Sequence, residues 1–493
     1  MSVTRTFLAL GSVGATVALV CASSAFAMHG GAGSTPRASL VAPTGSDHNP
    51  CTSTAPCLSF DRAFRAAPCG GSIIVESGEY AQQAIGADPT KAGCRTFTVF
   101  TPEAGGYVRI DGGLSVQASY VKILGSETSA DARAGRRVGF DVIGGIGVAA
   151  QAGSTSAQDS VPDHVWIERT NSKSGYIAGA TNVTFKGANI GPAVSCGYGD
   201  TCAVDLNNGY HEEDLFVIRS RQDPDGTVRP DTNAVLDGVY LHDLTKVYDR
   251  CSTYPVSCST HADCIQIYSF DQLTITNSTF SNCSDTDFFV KNDDGPWAPF
   301  RGLSIVNNYL GSITYPTGYY DAQIVNGCDS VSFEYNVVIG HNVVIGCKSA
   351  PSATSVEGNI LPSAGYGACA AAVWRYNFFS MADASPCYST DSVDSPRVFA
   401  QLGSARGTWL TLRYIVVAGA PVDVRLTVFQ GAHIVGRINL PNTPPLTGRT
   451  RLVAWQPSLR PGKRHGAYRF CASVAAAGSG AQFSAASCAA VVR

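Results

Sequence analysis

Four stretches of the chain repeat one apolar spacing, with large apolar residues at positions 0, +2 and +7: Val183-Phe185-Ile190, Leu273-Ile275-Phe280, Leu303-Ile305-Leu310 and Val331-Phe333-Val338. The two-residue step is the strand period, which puts both side chains on one face. A second signature is Asn followed by two bulky residues, at Asn308-Tyr309-Leu310, Asn336-Val337-Val338, Asn359-Ile360-Leu361 and Asn377-Phe378-Phe379, with gaps of 28, 23 and 18. Shorter apolar runs (Ile265-Gln266-Ile267, Phe288-Phe289-Val290, Ile324-Val325, Val343-Val344-Ile345) lie between, bounded by Gly, Asn, Asp or Ser turns. A repeat averaging 23 residues, with two or more short strands and an Asn at a fixed turn, predicts a coiled solenoid. One coil cannot bury its inner face alone, and parallel stacking at about 4.8 Å per coil joins the faces into one core. Asn side chains at equivalent turns then line up as a ladder of amide hydrogen bonds.

The ends of the pattern differ. Residues 58–67 read as an amphipathic helix suited to cap the open end of the solenoid, followed by a strand and turn over 72–80. From about residue 403 the Asn signature stops. Strands are expected at 409–417, 421–429 and 433–440, the last two a hairpin around Gln430-Gly431, then at 451–455, 466–474 and 482–492. About seven short strands in so short a segment suit a small β-sandwich.

Composition supports an all-β chain. Of 493 residues only 15% are charged, against roughly a quarter in ordinary soluble domains. Long exposed helices need more. After residue 27 no apolar run of about 18 residues occurs, so no membrane span is expected. The net charge of −3 offers no global field for nucleic acid. Residues 1–27, with Arg5, the apolar stretch 6–20 and Ala25-Phe26-Ala27, read as a Sec signal peptide, followed by a flexible linker over 28–49. Removing Cys21 with that peptide leaves 16 of the 17 cysteines, an even set in an exported chain. Sequence proximity suggests Cys51 with Cys57, Cys69 with Cys94, Cys196 with Cys202, Cys251 with Cys258, Cys264 with Cys283, Cys328 with Cys347, Cys369 with Cys387 and Cys471 with Cys488, although spacing alone does not fix connectivity.

The segment 51–80 resembles the N-terminal cap and first coil of secreted bacterial right-handed parallel β-helix proteins of the pectin-lyase-like superfamily. The string His261-Ala262-Asp263-Cys264-Ile265-Gln266 is similar to one recurring in that group. The resemblance spans roughly residues 50–395 and implies a right-handed parallel β-helix over 50–400. It is weak for activity, because the fold hosts lyases, hydrolases, epimerases and adhesins. The segment 403–493 resembles bacterial immunoglobulin-like or fibronectin type III-like modules, which implies a spacer, a C-terminal cap or a carbohydrate attachment unit.

Candidate chemistry gathers between residues 239 and 294. Asp263 and Asp285 are 22 residues apart, one coil, which predicts carboxylates stacked on one edge, with Asp287 beside them. Stacked carboxylates stay ionised only near a cation, and calcium takes oxygen ligands of this kind. In one reading Asp263, Asp285 and Asp287 hold calcium against a uronate carboxylate, Lys291 removes the α-proton, and His261 and Asp263 line the catalytic groove. That is a calcium-assisted lyase, whose relatives in the superfamily place Asp at coil turns with a Lys or Arg base. His242 and Trp166, the latter in Asp163-His164-Val165-Trp166-Ile167-Glu168, are candidate substrate-binding residues. The same Asp residues equally serve as turn caps. The alternatives are a non-catalytic secreted or cell-surface β-helix that binds glycan or serves a structural role, and a glycoside hydrolase using paired carboxylates. Polysaccharide or cell-wall glycan is the expected partner, and a monomer the expected state.

Overall fold

The repeated apolar triplets are the inward faces of stacked coils. Leu273, Leu303 and Val331 stand in register, as do Ile275, Ile305 and Phe333, and Phe280, Leu310 and Val338. Each of these nine side chains is at most 1% exposed. The structure is a computed structural model that describes residues 38–492, apart from 126–137, 150–160, 196–213, 247–261, 292–300, 312–319, 347–353, 365–372, 380–396, 444–450, 458–467 and shorter breaks.

Twelve strands form one parallel ladder, beginning Ser39–Val41, Ser72–Val75, Thr98–Pro102, Val121–Leu124, Asp163–Glu168, Thr181–Lys186 and Thr232–Asp237. It continues through Asp271–Thr276, Arg301–Val306, Val331–Glu334 and Thr354–Glu357 to Val373–Arg375. The other coil strands make two further parallel columns. These are joined because Gly139–Ala149 and Asn171–Ala178 each run through both: Asn171 pairs with Asn189, and Gly175 with Phe216. A full coil therefore carries three strand segments around one apolar core, which is the architecture of a parallel β-helix.

The Asn signature forms the expected ladder. The Asn308 side-chain N–H donates to Ile275 O at 3.0 Å, and the Asn308 backbone N–H to Asn336 Oδ1 at 2.9 Å. Asn336 repeats both bonds, to Ile305 O and to Asn359 Oδ1. Ser278 ends the row, its N–H donating to Asn308 Oδ1 and its hydroxyl to Thr276 O. The residue before each ladder position has positive φ (Asn277, Asn307, Tyr335, Gly358), so one left-handed residue per coil turns the next side chain inward. Asn377 lies outside the described residues.

The cap is the helix Phe60–Ala66, shorter than the expected 58–67. Ser59 at its N-cap accepts from the Arg62 N–H, and Phe60, Ala63 and Phe64 are buried. The Phe60 ring stacks on Phe100 at 5.3 Å and meets Tyr80 and Phe140 edge-on. The linker expected over 28–49 requires correction. Ser39–Val41 is the first rung of the ladder, in register with Ile73–Val75, because Val41 closes the core with 0% exposure.

Arg397–Arg406, Trp409–Val417, Val422–Gln430, His433–Thr443, Arg451–Trp455, Tyr468–Ala476 and Ser487–Val492 form a separate seven-stranded sheet. Arg397–Arg406 belongs to it, so it begins ahead of the expected boundary at 403. The expected hairpin is present, with Gln430 paired to His433 and Gly431 at φ 58°. One face of the sheet encloses its own core, which includes Leu412, Tyr414, Leu426, Phe470 and Val474. The two edge strands meet without hydrogen bonding. A Cβ added at Gly436 on one edge would lie 2.2 Å from the Trp455 ring on the other. The sheet thus rolls until its edges touch, and encloses a core as a sandwich does.

Disulfides join Cys51 to Cys57, Cys69 to Cys94, Cys264 to Cys283 and Cys471 to Cys488. The other expected pairs, formed from Cys196, Cys202, Cys251, Cys258, Cys328, Cys347, Cys369 and Cys387, lie outside the described residues.

Candidate functional site

Two carboxylates of the predicted edge are described, and both are buried. Asp263 and Asp287 are 0% and 1% exposed. The register pairs Ile265 with Phe288, a coil step of 23, one more than the 22 residues that separate Asp263 from Asp285 in sequence. The coil neighbour of Asp287 is Cys264, whose Sγ lies 3.5 Å from Oδ1. Cys264, Cys283 and Asp287 are close enough to enclose an ion, but the two sulfurs are bonded to each other and offer no thiolate. Asp214, 4% exposed, accepts the backbone N–H of Asp263 at 3.1 Å. Calcium takes roughly six to eight oxygen ligands, and the Cys264 sulfur beside the Asp287 carboxylate is not a ligand of that kind. His261, Asp285 and the side chain of Lys291 lie outside the described residues.

His242 sits on the outward side of Tyr240–Lys246. Its ring stacks on Tyr240 with centroids 4.1 Å apart, Nδ1 lies 2.7 Å from Asp243 Oδ2, and Nε2 lies 3.1 Å from Asn189 Oδ1. Asn282 donates to the other Asp243 oxygen at 2.9 Å. Burial works against ionisation of Asp243, but the bonds to His242 and Asn282 and the charge of His242 outweigh it and lower its pKa. In this polar network the His242 side chain is only 11% exposed, while that of Asp243 is 47% exposed.

Trp166 lies on the outer face of the twelve-stranded ladder. Pairing sets it beside Lys122 of the preceding rung and Thr184 of the next. Lys122 Nζ lies 4.8 Å and Lys186 Nζ 6.0 Å from the indole centroid, within cation–π range. The indole N–H donates to Glu168 Oε2 at 2.9 Å, and Lys122 Nζ is 2.9 Å from the same oxygen. Arg169 reaches Oε1 at 3.5 Å. Burial raises the Glu168 pKa, but Lys122, the indole N–H and Arg169 together hold it below the ordinary range. At the start of the same strand His164 stacks on Tyr120 at 4.6 Å, and Arg95 lies over Tyr120. The outcome is a strip of aromatic rings and cations on a pleated surface.

Lys122, Lys186, Tyr120 and His164 were not singled out in the sequence. Lys122 and Lys186 meet Trp166 across coil steps of 44 and 18 residues, and Tyr120 meets His164 across the step of 44; a search for a repeat near 23 does not align them. Their signal was the alternation of charged and apolar residues within each strand, as in Val121-Lys122-Ile123.

No protein-family model matches the chain, and no curated protein matches it. Among solved structures the chain is similar to a rhamnogalacturonan lyase at 13% identity, covering 73% of this chain and 90% of that one, with a TM-score of 0.39.

Proposed function

We propose that the protein binds acidic extracellular polysaccharide along the outer face of the twelve-stranded ladder. The observation that carries this is Trp166 flanked by the ammonium groups of Lys122 and Lys186. A uronate residue offers a C–H face to the indole and a carboxylate that joins the lysines beside their present partners, Glu168 at 2.9 Å from Lys122 and Asp237 at 3.3 Å from Lys186. Disulfides suit an oxidising compartment outside the cytosol. Binding without turnover is the better supported reading, because the two described carboxylates of the lyase arrangement are sealed from a polymer.

The test is titration of the full chain with polygalacturonate and alginate, with and without calcium, while ultraviolet absorbance is followed for unsaturated uronate. Trp166→Ala is expected to weaken binding about tenfold, the scale of truncating one aromatic contact residue at a binding surface, with no absorbance rise from either protein. Calcium-dependent absorbance that Trp166→Ala leaves intact would replace this reading with the lyase.

A further inference from the structure

The net charge of −3 hides a strong asymmetry. From Arg397 to the C-terminus the chain holds 12 Lys and Arg against one acidic residue, Asp423, a net of +11; residues 1–396 hold 23 against 37, a net of −14. Eleven of those 12 cations are arginine, the cation that grips carboxylate or sulfate through two parallel N–H groups.

The seven-stranded sheet gathers several of them on one outward face. Leu426 and Val428 point into the core, so Arg425, Thr427 and Phe429 point out. Pairing places Arg437 beside Thr427, Asn439 beside Arg425 and Arg469 beside Phe429. Three adjacent strands therefore set Arg425, Arg437 and Arg469 around Thr427. Two are held by rings: the Arg425 guanidinium lies 4.0 Å from the Phe483 centroid, and that of Arg469 lies 4.7 Å from the Phe429 centroid. Stacking fixes the guanidinium plane; the Arg425 Nε–H donates to Asn439 Oδ1 at 3.4 Å, which orients its terminal N–H groups for an anion. Arg437 and Arg469 are exposed. Asp423 does not neutralise them, since its oxygens accept the backbone N–H groups of Asn442 and Gly478. No carboxylate pairs with Arg425, Arg437 or Arg469 among the described residues.

We propose that this face is a second glycan site, which binds an acidic polysaccharide through its carboxylate or sulfate groups. Preset arginines beside Thr427 and Asn439 suit a polymer that alternates anions with hydroxyls, and the disulfide Cys471–Cys488 within the same sheet puts the module in an oxidising compartment. The site has a physical use for the rest of the chain. An acidic β-helix is repelled at long range by a polyanion, and a tethered cationic module raises the polymer's local concentration around it. The proposal does not rest on the Trp166 reading.

The experiment measures binding of the full chain to heparin and to polygalacturonate over a salt series, with dextran, duplex DNA and anionic phospholipid vesicles as comparisons. The triple variant Arg425→Ala/Arg437→Ala/Arg469→Ala is expected to lose roughly tenfold or more in affinity for the acidic glycans and to show a shallower salt slope. Arg437→Glu, at an exposed position with little bearing on folding, is expected to lose several-fold. Trp166→Ala is run alongside, so that loss in one variant and retention in the other tells which of the two sites exists. Wild-type affinity in both arginine variants overturns the proposal. So does preference for DNA or vesicles over both glycans, or an arginine-dependent self-association in sedimentation that accounts for all retention.

Discussion

Asp231 places a carboxyl group where the neighbouring coils put an alanine and a phenylalanine. Thr181, Thr232 and Asp271 are in register, so the residues before them, Ala180, Asp231 and Phe270, share one inward column, with exposures of 1%, 0% and 0%. The Ala180 N–H donates to Asp231 Oδ1 at 2.9 Å. Burial pushes the Asp231 carboxyl well above its usual range, against the pull of the Ala180, Gly179 and Arg219 backbone and the Arg219 charge. The folded chain therefore holds this proton more tightly than the unfolded one. Its contribution is fully present below the unfolded value, near pH 4, and is lost as pH rises toward the folded value, by at most about 1.4 kcal/mol per pH unit. Asp231→Asn keeps an acceptor for Ala180 and removes the titration. Thermal unfolding from pH 4 to 8 should show the variant gaining on the parent as pH rises. Parallel curves for the two proteins would show that Asp231 does not carry this linkage. Sequence could not mark this residue, since an aspartate before a strand reads as an ordinary turn cap.

At the scale of one element, the Asn ladder shows what the sequence made legible and where legibility ended. The gaps of 28 and 23 between Asn308, Asn336 and Asn359 equal the register steps Leu303 to Val331 and Val331 to Thr354. The pattern could be read because the turn geometry is the same in each coil. Between Thr181 and Asp271 the coil steps are 51 and 39, stretched by long excursions, and there neither Asn nor a fixed spacing marks the turn. The Trp166 strip lies beside that irregular region, which is why its lysines escaped notice. The carboxylate edge was less legible for a related reason: Asp263 and Asp285 are 22 residues apart in sequence, whereas the described coil step beside them is 23. Asn336→Ala tests the ladder. It removes the acceptor of the Asn308 N–H and the donor to Ile305 O, all buried. A loss of about 2–4 kcal/mol in denaturant unfolding is expected. A loss under about 0.5 kcal/mol, the range of an ordinary surface substitution, would mean that water or backbone shifts satisfy those groups.

Among the described residues two apolar cores stand apart. One runs from Val41 to Leu361 inside the coils, and the other uses only residues from Val398 to Val491. Neither borrows a side chain from the other, and each is stapled by its own disulfides. Gly436 gives a way to perturb one alone. A Cβ there would meet the Trp455 indole at 2.2 Å, and ring and backbone cannot both stay in place. Overpacking of this kind costs about 1–3 kcal/mol. If the cores are thermodynamically separate, calorimetry of Gly436→Ala should lower one transition and leave the other where it is in the parent, while Asn336→Ala lowers only the transition that Gly436→Ala spares. A single transition displaced by both substitutions would show that the β-helix and the cationic sheet unfold as one unit. The reciprocal pattern would instead show that the sheet folds by itself, so that its arginine face persists on a module whose stability does not depend on the acidic coils.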